Sequence, residues 1–337
     1  MTAPDNTVPA PTVAPWIATQ LQSLLAQRGH AWLLAGPSGL GQYELALALV
    51  RAWLCDQPGP QGACGVCASC HAIDVHAHAD LCVLSPETVL LDLGWPLGEK
   101  AQSEIDSKKR KASKEIRVEA MRDAVEFAQR TSARGRGKAV LVFPAERMNV
   151  FTANALLKTL EEPAGDVKFV LATDATHLLL PTIRSRCLGH TMSWPNPDAA
   201  LRWLQTQGVP PTQATVLLRA SGGRPADALL MAPVSERWRL LPKAVLRGEV
   251  AVFKDWTPAQ TVDALHKLCH DLLAVKAGAP PRYFEVADLP PSGSWLSLSN
   301  WAKSLAETRR TVEHPFNPGL MQEALVSQAQ LALNSQP

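Results

Sequence analysis

AWLLAGPSGLGQY, residues 31–43, runs from an unbroken apolar stretch into a glycine-rich turn and out into a helical pattern. Five apolar residues ending in glycines predict a buried parallel strand that empties into a loop and then a helix. Gly36 and Gly41 enclose four residues, the spacing of the phosphate loop G-x-x-x-x-G-K-[ST]. In that loop the backbone N–H groups and the helix N-terminus cradle the phosphates of ATP or GTP. The residues that carry the loop's chemistry are replaced. Where a lysine would reach the β and γ phosphates stands the uncharged Gln42, and where a hydroxyl would bind Mg²⁺ stands Tyr43, whose phenol is too long and rigid. Two readings stay open on this motif alone: a disarmed nucleotide loop, and an ordinary strand-to-helix turn with chance glycines.

Working outward, 337 residues suffice for two or three domains with substantial cores. Charged residues at 19% and apolar residues at 46% describe a globular chain, and a net charge of +2 gives no global field that would argue for nucleic acid. The first fifteen residues hold four prolines, no basic region and no apolar core, so they read as a disordered leader and not as a targeting signal. No apolar run reaches the roughly 18 residues needed to span a bilayer. The expected location is therefore cytoplasmic, where the seven cysteines would not form disulfides.

Cys55, Cys64, Cys67 and Cys70 are separated by eight, two and two residues within a turn-rich stretch. Two residues between thiolates let both face one ion, and four soft sulfurs in a tetrahedron suit structural Zn²⁺ with no open position. The rival readings are an iron–sulfur cluster and free thiols. C-x2-C-x2-C opens a ferredoxin-type signature, but the following Cys-Pro is missing and the fourth cysteine lies upstream. With four thiolates available, His71, His76 and His78 are expected at the surface, and the isolated Cys82, Cys187 and Cys269 as small core residues.

Strands are expected at residues 79–85, 138–143 and 167–173, with helices at 16–27, 45–54, 116–127 and 151–161, which together make an α/β domain with a mainly parallel sheet. Residues 86–114 are polar and read as a mobile insertion. The run Lys108, Lys109, Arg110, Lys111 reads as a solvated face, with phosphate contact as its alternative. In phosphate-loop hydrolases the strand equivalent to KAVLVF, residues 138–143, ends in a Mg²⁺-binding Asp, often followed by a Glu that polarises water. Here Phe143 and Pro144 occupy those places, and Glu146 lies two residues further on, a displacement of about 7 Å along an extended chain.

NALLKTLEEP at residues 154–163, LATDATHLLLPTIRSRC at 171–187, the cysteine insert and the lysine-free loop occur together and in order. On these stretches the chain resembles the delta-prime family of bacterial DNA polymerase III clamp-loader subunits, over roughly residues 15–232. The resemblance implies an AAA+ architecture, with a nucleotide-binding-type domain at 16–194 carrying a zinc module at 55–70, a three-helix lid at 195–235 and a helical collar at 236–337. Three short helical patterns at 198–207, 211–220 and 225–232 suit a lid, and periodicity at 258–275, 295–308 and 318–333 suits a helical third domain. The resemblance further implies a ring with ATPase subunits and a delta subunit, and through that ring a role in placing a sliding clamp on primed DNA in replication.

Within that family an arginine in a Ser-Arg-Cys loop completes the ATP site of the adjacent subunit, and Arg186 matches it by motif. On its own residues, Arg186 reads first as a member of a structural ion pair, and the resemblance reverses that order; Arg184 is the weaker finger. Thr173 stands where active relatives place a phosphate-sensing polar residue, and Ala226 where they carry a lid arginine. The resemblance therefore implies a stator without intrinsic ATPase activity or a functional ATP site. Two other readings are a working motor-type ATPase, with Gln42 tolerated and Glu146 replacing the usual acid, and a zinc-dependent nucleic-acid-binding module using Arg134, Arg136 and Lys138. The second lacks an extended basic stripe.

Overall fold

β1 (Ala31–Ala35), the apolar run that opens the glycine loop, lies inside a five-stranded sheet ordered β2-β3-β4-β1-β5, with β2 at Leu81–Leu84, β3 at Lys138–Val142, β4 at Val167–Thr173 and β5 at Leu188–Thr191. The computed structural model describes residues 13–335 except 292, 313 and 315, so most of the expected leader lies outside the described residues. Every strand pair is parallel, with Leu33 opposite Leu171 and Val140 opposite Phe169. All five residues of β3 are buried, as a strand covered on both faces requires. The expected fold class, α/β with a parallel sheet followed by helical segments, is observed.

Helices α1 (Pro15–Leu25), α2 (Gln42–Leu54), α3 (Ala68–Asp74), α4 (Glu87–Asp92), α5 (Glu99–Asp106), α6 (Val118–Gln129), α7 (Val150–Glu161) and α8 (Pro181–Arg184) complete the first of two compact units, Met1–Asn196. Asn149 caps α7 by accepting from the Thr152 N–H at 3.0 Å. Leu156 and Leu160 of α7 pack with Met121, Phe169, Leu171 and Ile183 in one core.

The insertion at 86–114 is not the loop its polarity suggests. It folds into α4 and α5, and the reason is ionic: Arg110, inside the basic run, reaches Glu104 at 2.8 Å and Glu87 at 2.5 Å. The Ser113 N–H adds a 2.8 Å bond to Glu87, and the Arg110 guanidinium holds the Glu87 carboxyl below its ordinary range. Arg110 is thus tied down, while Lys108, Lys109 and Lys111 are exposed.

The second unit, Pro197–Pro337, holds two separate cores. Helices α9 (Pro197–Thr206), α10 (Pro211–Ala220) and α11 (Pro225–Leu230) close around Leu204, Ala214 and Leu217. Helices α12 (Ser235–Leu246), α13 (Pro258–Lys276), α14 (Trp295–Thr311) and α15 (Pro318–Asn334) close around Trp238, Leu265, Leu268, Trp301 and Leu325. α12 escaped the sequence reading because Pro242 sits inside it, where proline removes a donor and crowds the preceding turn. Thr257 and Gln260 form a reciprocal capping box on α13. Asp271, fully buried on the same helix, accepts from the N–H groups of Arg282, Tyr283 and Phe284 at 2.7–2.8 Å. Among the described residues no helix is long and apolar enough to cross a membrane.

Candidate functional site

The glycine loop leaves β1 and enters α2 through Gly41, whose φ of 95° is open to glycine and strained for other residues. A Cβ there would also collide with Ile17. Gln42 is the first residue of α2 and is 3% exposed, so its amide cannot reach outward. It donates instead to the carbonyls of Gly36 and Pro37 at 2.7 and 2.8 Å, and to Asp174 Oδ1 at 2.8 Å. A lysine in a phosphate loop directs its charge at the nucleotide. This glutamine spends its donors stitching the loop to itself and to the end of β4.

Tyr43 lies beside Phe143, the residue where a hydrolase would carry its Mg²⁺-binding acid, with ring centroids 5.3 Å apart. Its hydroxyl accepts from the indole N–H of Trp95 at 2.6 Å, and burial raises its pKa. Trp95 comes from the insertion and stacks on His76 at 4.0 Å. Both positions that lost their metal chemistry are therefore filled by aromatic rings. Glu146 accepts from Thr173 Oγ1 at 2.6 Å at the end of β4, so both side chains are committed to each other. Tyr43→Phe is expected to cost about 1 kcal/mol, because the buried indole N–H loses its acceptor. Urea unfolding checks this, and no change in midpoint would mean that water takes over the bond.

Four cysteines converge at the end of α2. Cys55 is the C-cap of α2, Cys67 is the N-cap of α3, Cys70 lies one turn into α3, and Cys64 sits in the loop between these helices. Cys55 Sγ lies 3.5 Å from Cys64 Sγ and 3.8 Å from those of Cys67 and Cys70, and all four sulfurs fall within 4.8 Å of one another. Tetrahedral zinc with bonds of about 2.3 Å needs sulfurs about 3.8 Å apart, so this donor set fits the ion. Backbone N–H groups of Cys64 and Cys70 point at the sulfurs of Cys55 and Cys67 at 3.3 and 3.4 Å. The amides of Val66 and Cys67 draw the Cys64 thiol down to about 6, whereas burial pushes Cys70 up to about 12. A bound dication overcomes the latter, since a coordinating thiol is deprotonated outright.

Of the nearby histidines only His71 is exposed. His76 is half-buried against Trp95, and His78 is buried, its Nδ1 accepting from the Asp80 N–H at 3.1 Å. The expectation of three surface histidines is corrected for those two, because each is used by the segment linking α3 to β2. Cys187 and Cys82 have thiols pushed up to about 11 by burial, and Cys269 to about 12. Arg134 and Arg136 are exposed, but Lys138 is buried and donates to the Phe127 carbonyl at 2.9 Å, so the three do not form one basic patch.

Arg186 follows α8 on the Ser-Arg-Cys loop. Its Nε donates to Glu161 Oε1 at 2.6 Å, its Nη2 donates to the same oxygen, and its Nη1 donates to the Thr182 carbonyl at 2.8 Å. The side chains of Arg186 and Glu161 stay 30% and 46% exposed. Trp95, Asp174, Glu161 and Thr182 were not singled out from the sequence. Trp95, Asp174 and Glu161 meet their partners through the tertiary fold, whereas Thr182 meets Arg186 four residues away; Asp174, Glu161 and Thr182 lie inside the quoted motifs at 154–163 and 171–187, and Trp95 lies in neither.

Residues 15–194 match the family described as DNA polymerase III, delta subunit. A DNA polymerase III subunit delta' of Pseudomonas aeruginosa is 40% identical over 206 residues, covering 60% of this chain and 56% of that protein. The Escherichia coli subunit delta' is 34% identical over 224 residues, covering 64% of this chain and 60% of that one. The tau subunit from the same organism is 35% identical over 159 residues, 47% of this chain and 21% of its own length. The matched stretch thus spans somewhat more than half the length of the two delta' relatives. With that match laid over the lysine-free glycine loop, the cysteine centre and the Ser-Arg-Cys loop, the chain belongs to the delta' family of DNA polymerase III subunits.

Proposed function

We propose that this chain is a non-hydrolysing stator of a DNA polymerase III clamp loader. In this reading it turns over no ATP, stands in a ring with ATPase subunits and a delta subunit, and offers Arg186 to the ATP of a neighbour. Through the ring it supports placement of the sliding clamp on primed DNA. The observation that carries the stator half is the Gln42 amide, whose two N–H donors are shared among the Gly36 and Pro37 carbonyls and Asp174 Oδ1 and so close the phosphate loop. The loss of the strand-end acid at Phe143 supports the same half. The relatives named tau and gamma support a partnership with other subunits of the polymerase. Cys55, Cys64, Cys67 and Cys70 would hold Zn²⁺, whose part with four thiolates is to brace the fold and not to activate water.

The test is ATP binding and turnover by the purified chain. Turnover is expected at background, and Gln42→Lys with Tyr43→Thr is expected to leave it there, because those changes restore the loop without restoring an acid after β3. Turnover by the unaltered chain that disappears on changing Gly41 or Glu146 would replace the stator with a motor-type ATPase. A second reading has one observation in its favour: the Glu161 ion pair is what a purely structural role for Arg186 requires.

A further inference from the structure

We infer that Glu161 is the positioning residue of the arginine finger, holding the Arg186 guanidinium in place before a neighbour's phosphate arrives; this rests on the trans-acting reading of Arg186 given above. A guanidinium carries five N–H donors. Three are committed to Glu161 Oε1 and the Thr182 carbonyl, from Nε, Nη2 and Nη1. Two therefore remain, one on each terminal nitrogen, at the distal end of the fork that suits two oxygens of a phosphate. Ser185 Oγ, 3.4 Å from Nη1, is too distant to compete strongly.

Both anchors stand on rigid ground. Glu161 is the last residue of α7, directly after Leu160, which is 1% exposed. Thr182 precedes Ile183, which is fully buried in the same core. A free arginine would lose much rotamer freedom when it engages a phosphate, and a side chain already held by its near edge loses less. The Glu161 charge does not cancel the finger's use. The pair is part-exposed and screened, so a dianionic terminal phosphate group competes with it on favourable terms.

The test uses the reconstituted loader assembly with Glu161→Ala, Glu161→Gln, Arg186→Ala and the Glu161→Ala/Arg186→Ala double change. Glu161→Ala is expected to lower kcat for ATP about two- to fivefold with KM nearly unchanged, because positioning is felt when charge develops at the transferred phosphate. Glu161→Gln keeps one oxygen acceptor and is expected to lose less. The double change is expected to match Arg186→Ala alone. In the isolated chain, the Arg186 Nε–H should exchange with solvent faster in Glu161→Ala, while the melting temperature stays within about 2 °C, as for other exposed pairs. If Arg186→Ala lowers turnover and Glu161→Ala does not, the inference falls and the trans-acting reading stands. If Arg186→Ala changes nothing, both fall. Equal additional losses in the double change would also overturn the inference, since Glu161 would then act apart from the arginine.

Discussion

Replacing Cys70 with serine is expected to abolish the Zn²⁺ binding proposed for the four cysteines and to lower the melting temperature of the first unit by about 10–15 °C. The size follows from two quantities. Four-thiolate zinc contributes of order 10 kcal/mol to folding in small zinc-binding peptides, and losing one of four ligands forfeits a fraction of that, about 3–5 kcal/mol here. In a unit of this length each kcal/mol moves the midpoint by about 2–4 °C. Serine is nearly isosteric with cysteine but is not a soft ligand, so the change isolates coordination from packing. Cys70 is fully buried on α3, and Cys55 closes α2, so an ion held there would tie two helices together. Cys187→Ser serves as the control, since that thiol is partly buried against the neighbouring core and far in sequence from the four. Elemental analysis and calorimetry read the result. One zinc per chain, lost in Cys70→Ser and retained in Cys187→Ser, is the expected outcome. Iron with visible charge-transfer bands, or an unaltered chain that is folded and metal-free, would overturn the zinc assignment.

The features legible in the sequence are those set by spacing within one stretch. The strand, glycine turn and helix at residues 31–54 follow from local pattern, and the cysteine centre follows from gaps of eight, two and two residues. What escaped reading is set by partners remote in sequence. Gln42 reads as a missing lysine, but that it binds Asp174, 132 residues away, depends on β1 pairing with β4. Trp95 reaches Tyr43 across 52 residues from a segment whose polarity argued for a loop. Within that segment α5 buries none of its residues. Its order comes from the side chain of Arg110 between Glu87 and Glu104, a specific contact that neither composition nor periodicity encodes. Pro242 hid α12 for the opposite reason: a residue that ends most helices is accommodated here, buried beside Trp238 and Leu241.

Arg186→Ala is expected to separate assembly from catalysis. The side chain projects from a loop after α8, is 30% exposed and makes its ion pair with a half-exposed Glu161. Such a pair is worth about 0.2–1 kcal/mol, so the mutant should fold, melt close to the unaltered chain and enter the ring. Turnover should respond differently. A finger contributes roughly 10³–10⁵ in rate at the site it completes, so the junction served by this chain should fall silent, leaving the turnover of junctions that keep an arginine of their own. DNA-stimulated ATP hydrolysis by the reconstituted loader is therefore expected to drop to about a tenth to a half of its normal rate, a partial loss whose floor is set by the intact junctions. Arg186→Lys should rescue poorly. It retains the charge, but a lysine ammonium lacks the planar fork, so it cannot hold Glu161 by one edge and present two donors to a phosphate by the other. A mutant that melts far lower or stays out of the ring would make Arg186 a structural ion-pair member, with Glu161 as its reason. Unchanged assembly, turnover and clamp loading would remove the trans-acting role, because a residue that completes a catalytic site cannot be deleted without cost to the transition state it serves.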